Sequence, residues 1–355
     1  MNARSVGAIA ICFAALLGAD VTSPFFARAA PLDDAAAQWR AYKERFISSD
    51  GRLIDDSAEN ISHSEGQGYA MLLAAFANDA PTFARLWTWT IANLYVRSDG
   101  LAAWRWRPQD SPHVLDKNNA ADGDLLIAWA LAVGARKWNN PGYSAEARRL
   151  ALSFYKLTTY DASFGRAISP GVAGFGPKDS EDGPVVNLSY WIFPAFDALA
   201  SVAPEVDWAA LRASGLALLD TAKFGPRALP SDWIGLKDGP HPAVAHPRTF
   251  GYDAMRAPLY LAWSAPRDKK RLSEFVDGWA SPTLGALATV DLDAGKSSEA
   301  LGDIGYQTLA ATLICAAGGG KLPDNLREPS LQRYYPATLQ MLSMALIRQK
   351  LPQCL

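Results

Sequence analysis

The sequence predicts an all-α protein assembled from helical hairpins. Three observations lead there. Apolar residues recur at helical spacing in eleven separate stretches, strand-like alternation is scarce, and the stretches arrive in pairs, several with a long loop after the first member. Such pairs close into a ring or stack into an open solenoid, and periodicity alone permits both.

The elements are read in order from their periodicity and their end signals. Ser, Asp and Asn side chains accept hydrogen bonds from the orphan N–H groups of a first helical turn, whereas Gly and Pro stop helices. The first stretch, 33–48, stops short of Gly51. The second, 66–78, follows Ser64 and Glu65, and the third, 80–95, follows Asp79. The fourth, 123–138, follows Asp122 and ends before Pro141, and the fifth, 144–157, follows Asn139 and Asn140. Stretch 188–201 follows Asn187 and ends before Pro204, and 206–220 is closed by Gly225 and Pro226. Then 253–263 opens on Asp253, 269–278 follows Asp268, 299–316 follows Ser298 and ends before Gly318, and 331–349 ends before Pro352. Short extended pieces are expected near 101–107 and 227–237. No long linker, low-complexity tract or composition shift divides the chain, so a single domain is expected.

Composition narrows the function. The chain is 49% hydrophobic, enough for a sizeable core, and its formal net charge is −2. Without a basic stripe or an acidic block, nucleic acid and anionic membranes are poor partners, and a neutral polymer suits the surface. Arg4 followed by an apolar run from Val6 to Leu17 reads as a secretory signal, too short to span a bilayer. Ala27-Arg28-Ala29 fits the cleavage pattern, leaving 30–355 as the mature domain. No later segment is long and apolar enough for a membrane span. Of three cysteines, Cys12 lies in the signal, Cys315 is expected as a buried thiol and Cys354 as a loose terminal one. A disulfide between the last two is the alternative in an oxidising compartment. The four histidines, at 63, 113, 241 and 246, are scattered, and no metal site or cofactor is expected.

Three acidic segments carry the chemistry. His63-Ser64-Glu65-Gly66-Gln67-Gly68-Tyr69 places one carboxyl at a helix mouth, where Gly66 and Gly68 would let a ligand approach. Ala121-Asp122-Gly123-Asp124 opens a second helix. Phe250-Gly251-Tyr252-Asp253-Ala254-Met255-Arg256 opens a third, with Arg256 spaced to share a helix face with Asp253 and hold it ionised. Each acid alone reads as an ordinary first-turn carboxylate. Together they form the set that acid chemistry on a sugar requires: a protonated carboxyl, an ionised carboxylate, and polar groups to grip hydroxyls.

SEGQGYAM, AADGDLLIAWAL and YDAMR, in this order, resemble glycoside hydrolase family 8, the inverting endoglucanases, from about Trp39 to about Arg348. The resemblance is strongest to the periplasmic cellulases encoded with bacterial cellulose synthase. It implies a six-hairpin (α/α)6 barrel whose inner helices point their N-termini at a substrate cleft. It further implies Glu65 as general acid, Asp253 as general base, and Asp122 as the residue that holds the distorted sugar at the cleavage point. Two positions depart from the family pattern: Ala121 stands where a Ser or Thr is usual, and Ala70 where Gly is frequent. Tyr190, in Asn187-Leu188-Ser189-Tyr190, matches the family's segment near the cleavage point.

Sugars lay their C–H faces on aromatic rings. Trp104, Trp106 and Trp233 lie in polar loops and are candidates to line a glucan cleft, with Tyr190, Tyr252, Arg256, Gln67 and Asp124 completing the substrate-binding set. Asp124 is expected in a capping or orienting role there. The expected substrate is β-1,4-glucan, that is cellulose. The resemblance also implies a periplasmic or secreted monomer with a functional association with a cellulose synthase complex. Xylan or chitosan as substrate, and a non-catalytic glucan-binding subunit of the export machinery, are the competing readings.

Overall fold

The computed structural model describes residues 34–264 and 268–355. The signal-peptide expectation falls outside the described residues. Eleven α-helices are present among them: α1 (Ala35–Phe46), α2 (Ser64–Phe76), α3 (Ala80–Leu94), α4 (Ala121–Trp138), α5 (Pro141–Thr158), α6 (Phe193–Leu199), α7 (Trp208–Thr221), α8 (Arg256–Trp263), α9 (Lys269–Phe275), α10 (Ile304–Ala317) and α11 (Tyr334–Lys350). Every stretch of helical periodicity corresponds to one of them.

Packing closes the helices into a ring. α2 packs on α4, α4 on α6, α6 on α8, α8 on α11, and α11 back on α2. These inner helices are buried over most of their surface: all eight residues of α8 are buried, and α2 is buried continuously from Gly66 to Ala75. Helices apolar all round belong in a core. The outer helices α1, α3, α5, α7 and α9 pack with one face inward, and α10 lies against α8, α9 and α11. The architecture is the (α/α)6 barrel. No described helix is long and apolar enough to cross a membrane.

The two sets of helices start differently. The outer five are capped by their own aspartates or asparagines, Asp34, Asp79, Asn140, Asp207 and Asp268. α4, α6, α8 and α11 have no side-chain N-cap, and α2 is capped by the His63 imidazole, which accepts from Gly66 N at 3.0 Å. The acids at 122 and 253 are therefore not caps of their own helices.

Strands are more numerous than expected, but short. Ser62–His63 pairs with Arg105–Trp106 and leads into α2. Val185–Val186 pairs with Ile234–Gly235, which pairs with His241–Pro242, and leads into the turn of 3-10 helix Leu188–Tyr190. Thr249–Phe250 joins the hairpin Ala288–Asp291/Lys296–Ala300 and leads toward α8. A fourth pair, Thr159–Ala162/Gly165–Ile168, follows α5. Three of these small sheets thus anchor the entrances of inner structure that bear candidate site residues. The hairpin arm 296–300 corrects the expected start of the tenth helix at 299: the segment is exposed strand, and the helix begins at Ile304.

Cys315 and Cys354 form a disulfide, with Cα atoms 6.0 Å apart. Cys354 is fully buried, so the expected loose terminal thiol is replaced by a bridge that ties the chain end to α10.

Candidate active site

Glu65, Asp122 and Asp253 come from three different inner-helix entrances and meet on one guanidinium. Arg256 Nη1 donates to Glu65 Oε2 and, at 3.2 Å, to Asp122 Oδ2, while Nη2 donates to Asp253 Oδ1 at 2.6 Å. The Asp253–Arg256 pair has the expected spacing of three residues; the reach of Arg256 to the other two acids was not expected. The Arg256 side chain is 3% exposed, Asp122 2%, Glu65 16% and Asp253 31%. Asp253 is thus the acid most open to water, and Asp122 lies deepest.

Close helix packing creates the Glu65–Asp122 contact. A side chain at Gly123 would place its Cβ 2.0 Å from Ser64 Oγ, and one at Gly68 would come 2.6 Å from Leu126 Cβ. Only glycine lets α2 and α4 approach this closely. This corrects the expected use of Gly66 and Gly68 as openings for a ligand: Gly68 faces α4, and Gly66 faces the side chains of Leu53 and Tyr334.

Electrostatics follow from this burial. Asp122 is pushed up to about 7, first by desolvation and then by the neighbouring Glu65 carboxyl; Arg256 and Gly123 N–H pull the other way. Burial beside a second carboxyl disfavours the charged form of Asp122. Arg256 itself is held charged well above its usual range: burial works against the charge, but Glu65 and its other anionic neighbours outweigh it. His63 lies beside this pair. Burial opposes its charging, yet Asp55, Glu65 and Asp122 together raise its pKa.

Tyrosines wall the cluster. Burial raises Tyr190 well above its usual range, with Asp122 and Asp253 adding to the rise and Arg256 opposing it, which locates its hydroxyl among the site residues. Tyr69 and Tyr260 share a hydroxyl–hydroxyl hydrogen bond beneath Arg256. The Tyr335 hydroxyl donates to the Tyr252 carbonyl and steadies the segment before Asp253. Tyr252, 38% exposed, meets the rings of Tyr306 and Tyr335 at 6.1 and 6.2 Å. Tyr69, Tyr335 and His63 were not anticipated as site residues, although Tyr69 and His63 stand within the first acidic segment.

The other expected residues divide. Trp233 stacks with Phe175 and His246 and meets Tyr190 edge-on at 6.4 Å, which connects it to the cluster. The Trp104 carbonyl accepts from Ser64 N at 3.0 Å, its indole N–H donates to Asp116 at 2.7 Å, and Arg105 lies over its ring. The Trp106 ring is engaged by Trp89, His113 and Arg52, so packing under the loop describes it better than an open sugar platform. Gln67 does not face the cleft. It is fully buried, accepts from Leu53 N at 2.6 Å and donates to Thr90 Oγ1 at 2.8 Å, to Leu86 O and to Gly51 O. Asp124 is likewise fully buried and accepts from Ala102 N and Asn119 Nδ2, both at 2.9 Å. Burial pushes it up to about 7. It orients the loop before α4 and does not belong with the substrate-binding side chains.

Asp232 was missed. Its Oδ1 accepts from Gly251 N at 2.9 Å and from Ala254 N at 2.8 Å, next to Asp253. Its one signal is its position beside Trp233, in a loop singled out for its aromatic.

A closed helical barrel that gathers carboxyls at inner-helix mouths, walled by aromatic rings, has the groups that a glycoside hydrolase needs. The chain belongs to glycosyl hydrolases family 8, whose profile matches residues 17–350. It is 35% identical over 335 residues to a probable endoglucanase of Novacetimonas hansenii, covering 93% of this chain and 96% of that protein. It is 42% identical over 234 residues to an endoglucanase of Cellulomonas uda, a match spanning 65% of this chain and 64% of that protein. The solved endo-β-1,4-glucanase of Acetobacter xylinum superposes with a TM-score of 0.81 at 32% identity, covering 90% of this chain and 99% of that one.

Proposed function

We propose that this chain is an endo-acting β-1,4-glucanase that cleaves with inversion, with Glu65 as general acid and Asp253 as general base. One observation carries the reading: three acids from separate helix mouths converge on Arg256, with Glu65 and Asp253 on different nitrogens of the same guanidinium. Inversion requires the two carboxyls to stand about 6.5–9.5 Å apart, so that a water fits between Asp253 and the sugar.

Glu65 donates its proton to the glycosidic oxygen, and the C1–O bond breaks. A water attacks C1 from the opposite face, and Asp253 takes its proton. Asp253 is suited to meet that water because it is the most exposed of the three acids and is paired with Arg256. Asp122 and Tyr190 hold the sugar at the cleavage point, and Tyr252 and Trp104 flank the chain; Trp233, stacked with Phe175 and His246, supports Tyr190 from behind.

The similarity to endoglucanases favours glucan over xylan or chitosan. Reducing-end release from carboxymethyl-cellulose, xylan and chitosan side by side tests the choice: release from xylan or chitosan alone overturns it. Proton NMR of fresh product tests the stereochemistry. The α-anomer is expected first, and the β-anomer first would require a nucleophile on the enzyme.

The same reading includes export from the cytoplasm, which the Cys315–Cys354 disulfide supports. It also includes action as a monomer alongside a cellulose synthase, which rests on the resemblance alone. Fractionation of the host and a pull-down on the synthase subunits test these two points.

A further inference from the structure

Asp253 stands in a turn that its own helix does not secure. α8 has no side-chain N-cap, and Met255 at its entrance contributes none. The turn that precedes α8 finds its acceptor in another loop. Asp232 Oδ1 takes the N–H groups of Gly251 and Ala254, on either side of Tyr252 and Asp253, and Asp232 N–H donates to Thr249 O at 2.9 Å. One residue therefore grips the backbone at three points between 249 and 254. The fit is close: a Cβ on Gly251 would come 2.4 Å from Asp232 Oδ2.

We propose that Asp232 is a positioning residue for the hydrolytic step, clamping the turn around Asp253 so that the base carboxylate is aimed at the attacking water. The proposal rests on the assignment of Asp253 as general base. It adds a role for a residue that touches neither Glu65 nor Arg256 by hydrogen bond. Burial and then the charge of Asp253 push Asp232 up to about 7, while the two N–H bonds and Arg256 pull it down. A carboxyl set beside another carboxyl at such cost is retained here for where it holds the chain. The other groups that face Asp253 are Arg256 from α8, Tyr190 from its 3-10 turn and Tyr335 from α11.

The test compares Asp232→Ala, Asp232→Asn, Gly251→Ala and Asp253→Asn on aryl β-cellobiosides with good and poor leaving groups, with thermal melts run in parallel. Misplacing a reacting group by about 1 Å costs on the order of 10²-fold. Asp232→Ala is expected to lose about that much in kcat with KM changed by about twofold or less. The loss should be equal for good and poor leaving groups, because the damaged step is water activation. Asp232→Asn keeps an acceptor at Oδ1 and should recover most of kcat. Gly251→Ala, which pushes on the clamp from the other side, should lower kcat without raising KM, and it decides the matter if Asp232→Ala does not fold. Unchanged kcat in Asp232→Ala or Gly251→Ala overturns the proposal, as does a loss confined to KM or an Asp232→Asn as damaged as Asp232→Ala. A dead Asp253→Asn beside a fully active Asp232→Ala sinks the clamp alone, whereas a fully active Asp253→Asn sinks the base assignment and the clamp with it.

Discussion

Replacing Asp122 with Asn should make the protein more stable at neutral pH relative to acid pH, at the cost of activity. The sign follows from the raised carboxyl. In the folded state Asp122 titrates at about 7 instead of 3.8, so between those values the folded chain holds a proton that the unfolded chain has released. Stability therefore falls as pH rises through that window, and above it the full penalty of a buried carboxylate remains. Asn never ionises and escapes the penalty. Titration at about 7 in place of 3.8 corresponds to at most about 4 kcal/mol. The side chain is 2% exposed, so solvent screening removes little of this. Urea unfolding of both proteins, in steps from about pH 4 to about pH 8, reads the difference directly. Costs that do not depend on pH, such as the Asn amide facing Arg256 where Oδ2 had accepted at 3.2 Å, cancel in the slope. The stability of Asp122→Asn minus that of wild type should climb by about 2–4 kcal/mol across the window and then level off. A difference flat to within about 1 kcal/mol would refute the argument, because Asp122 would then titrate as an ordinary carboxyl.

Glu65→Gln should lower turnover by about 10²–10⁴-fold with substrate binding nearly intact, and the loss should shrink on aryl glycosides with good leaving groups. Asp253→Asn should be as damaging without that relief, and added azide should partly restore cleavage; stopped assays across a leaving-group series separate the two acids. Gln67→Leu leaves Leu53 N–H without its buried acceptor and should lower stability by about 1–3 kcal/mol, yet the folded fraction should cleave with near wild-type KM. A specific rise in KM would return Gln67 to the cleft. Reducing the Cys315–Cys354 bridge, which closes a loop of sequence separation 39, should cost about 2–4 kcal/mol, measured by melts with and without reductant.

The helices were legible because burying one face or all faces at a 3.6-residue period is a local property of sequence. Two short strands, Arg105–Trp106 and Ile234–Gly235, fall within the extended pieces expected near 101–107 and 227–237; the others were not legible, because two- to five-residue pairings depend on partners far along the chain, as Ser62–His63 does on Arg105–Trp106. The carboxyls of the site could be read from their motifs, but not which side chains share their face. Residues two apart on a helix point in nearly opposite directions. Gln67 therefore turns away from the cleft that Glu65 faces, and Asp124 turns away from the cluster that contains Asp122. Asp232 was invisible for a related reason: it caps a helix entrance from a distant loop, and end-signal reasoning looks only at neighbours in sequence.

The return of α11 onto α2 and α1 has a consequence for how the protein is made. During synthesis the segments that bear Glu65, Asp122 and Asp253 all emerge before residues 334–350. Until that last segment arrives, α2 and α8 each lack the neighbour that α11 provides, and Tyr335 cannot fasten the carbonyl of Tyr252. Contacts between α11 and α2 join the two ends of the chain, so closure of the ring waits on the last helix. Hydrolytic competence should thus appear late and all at once, and a ribosome-stalled chain lacking α11 should carry all three acids without being able to use them.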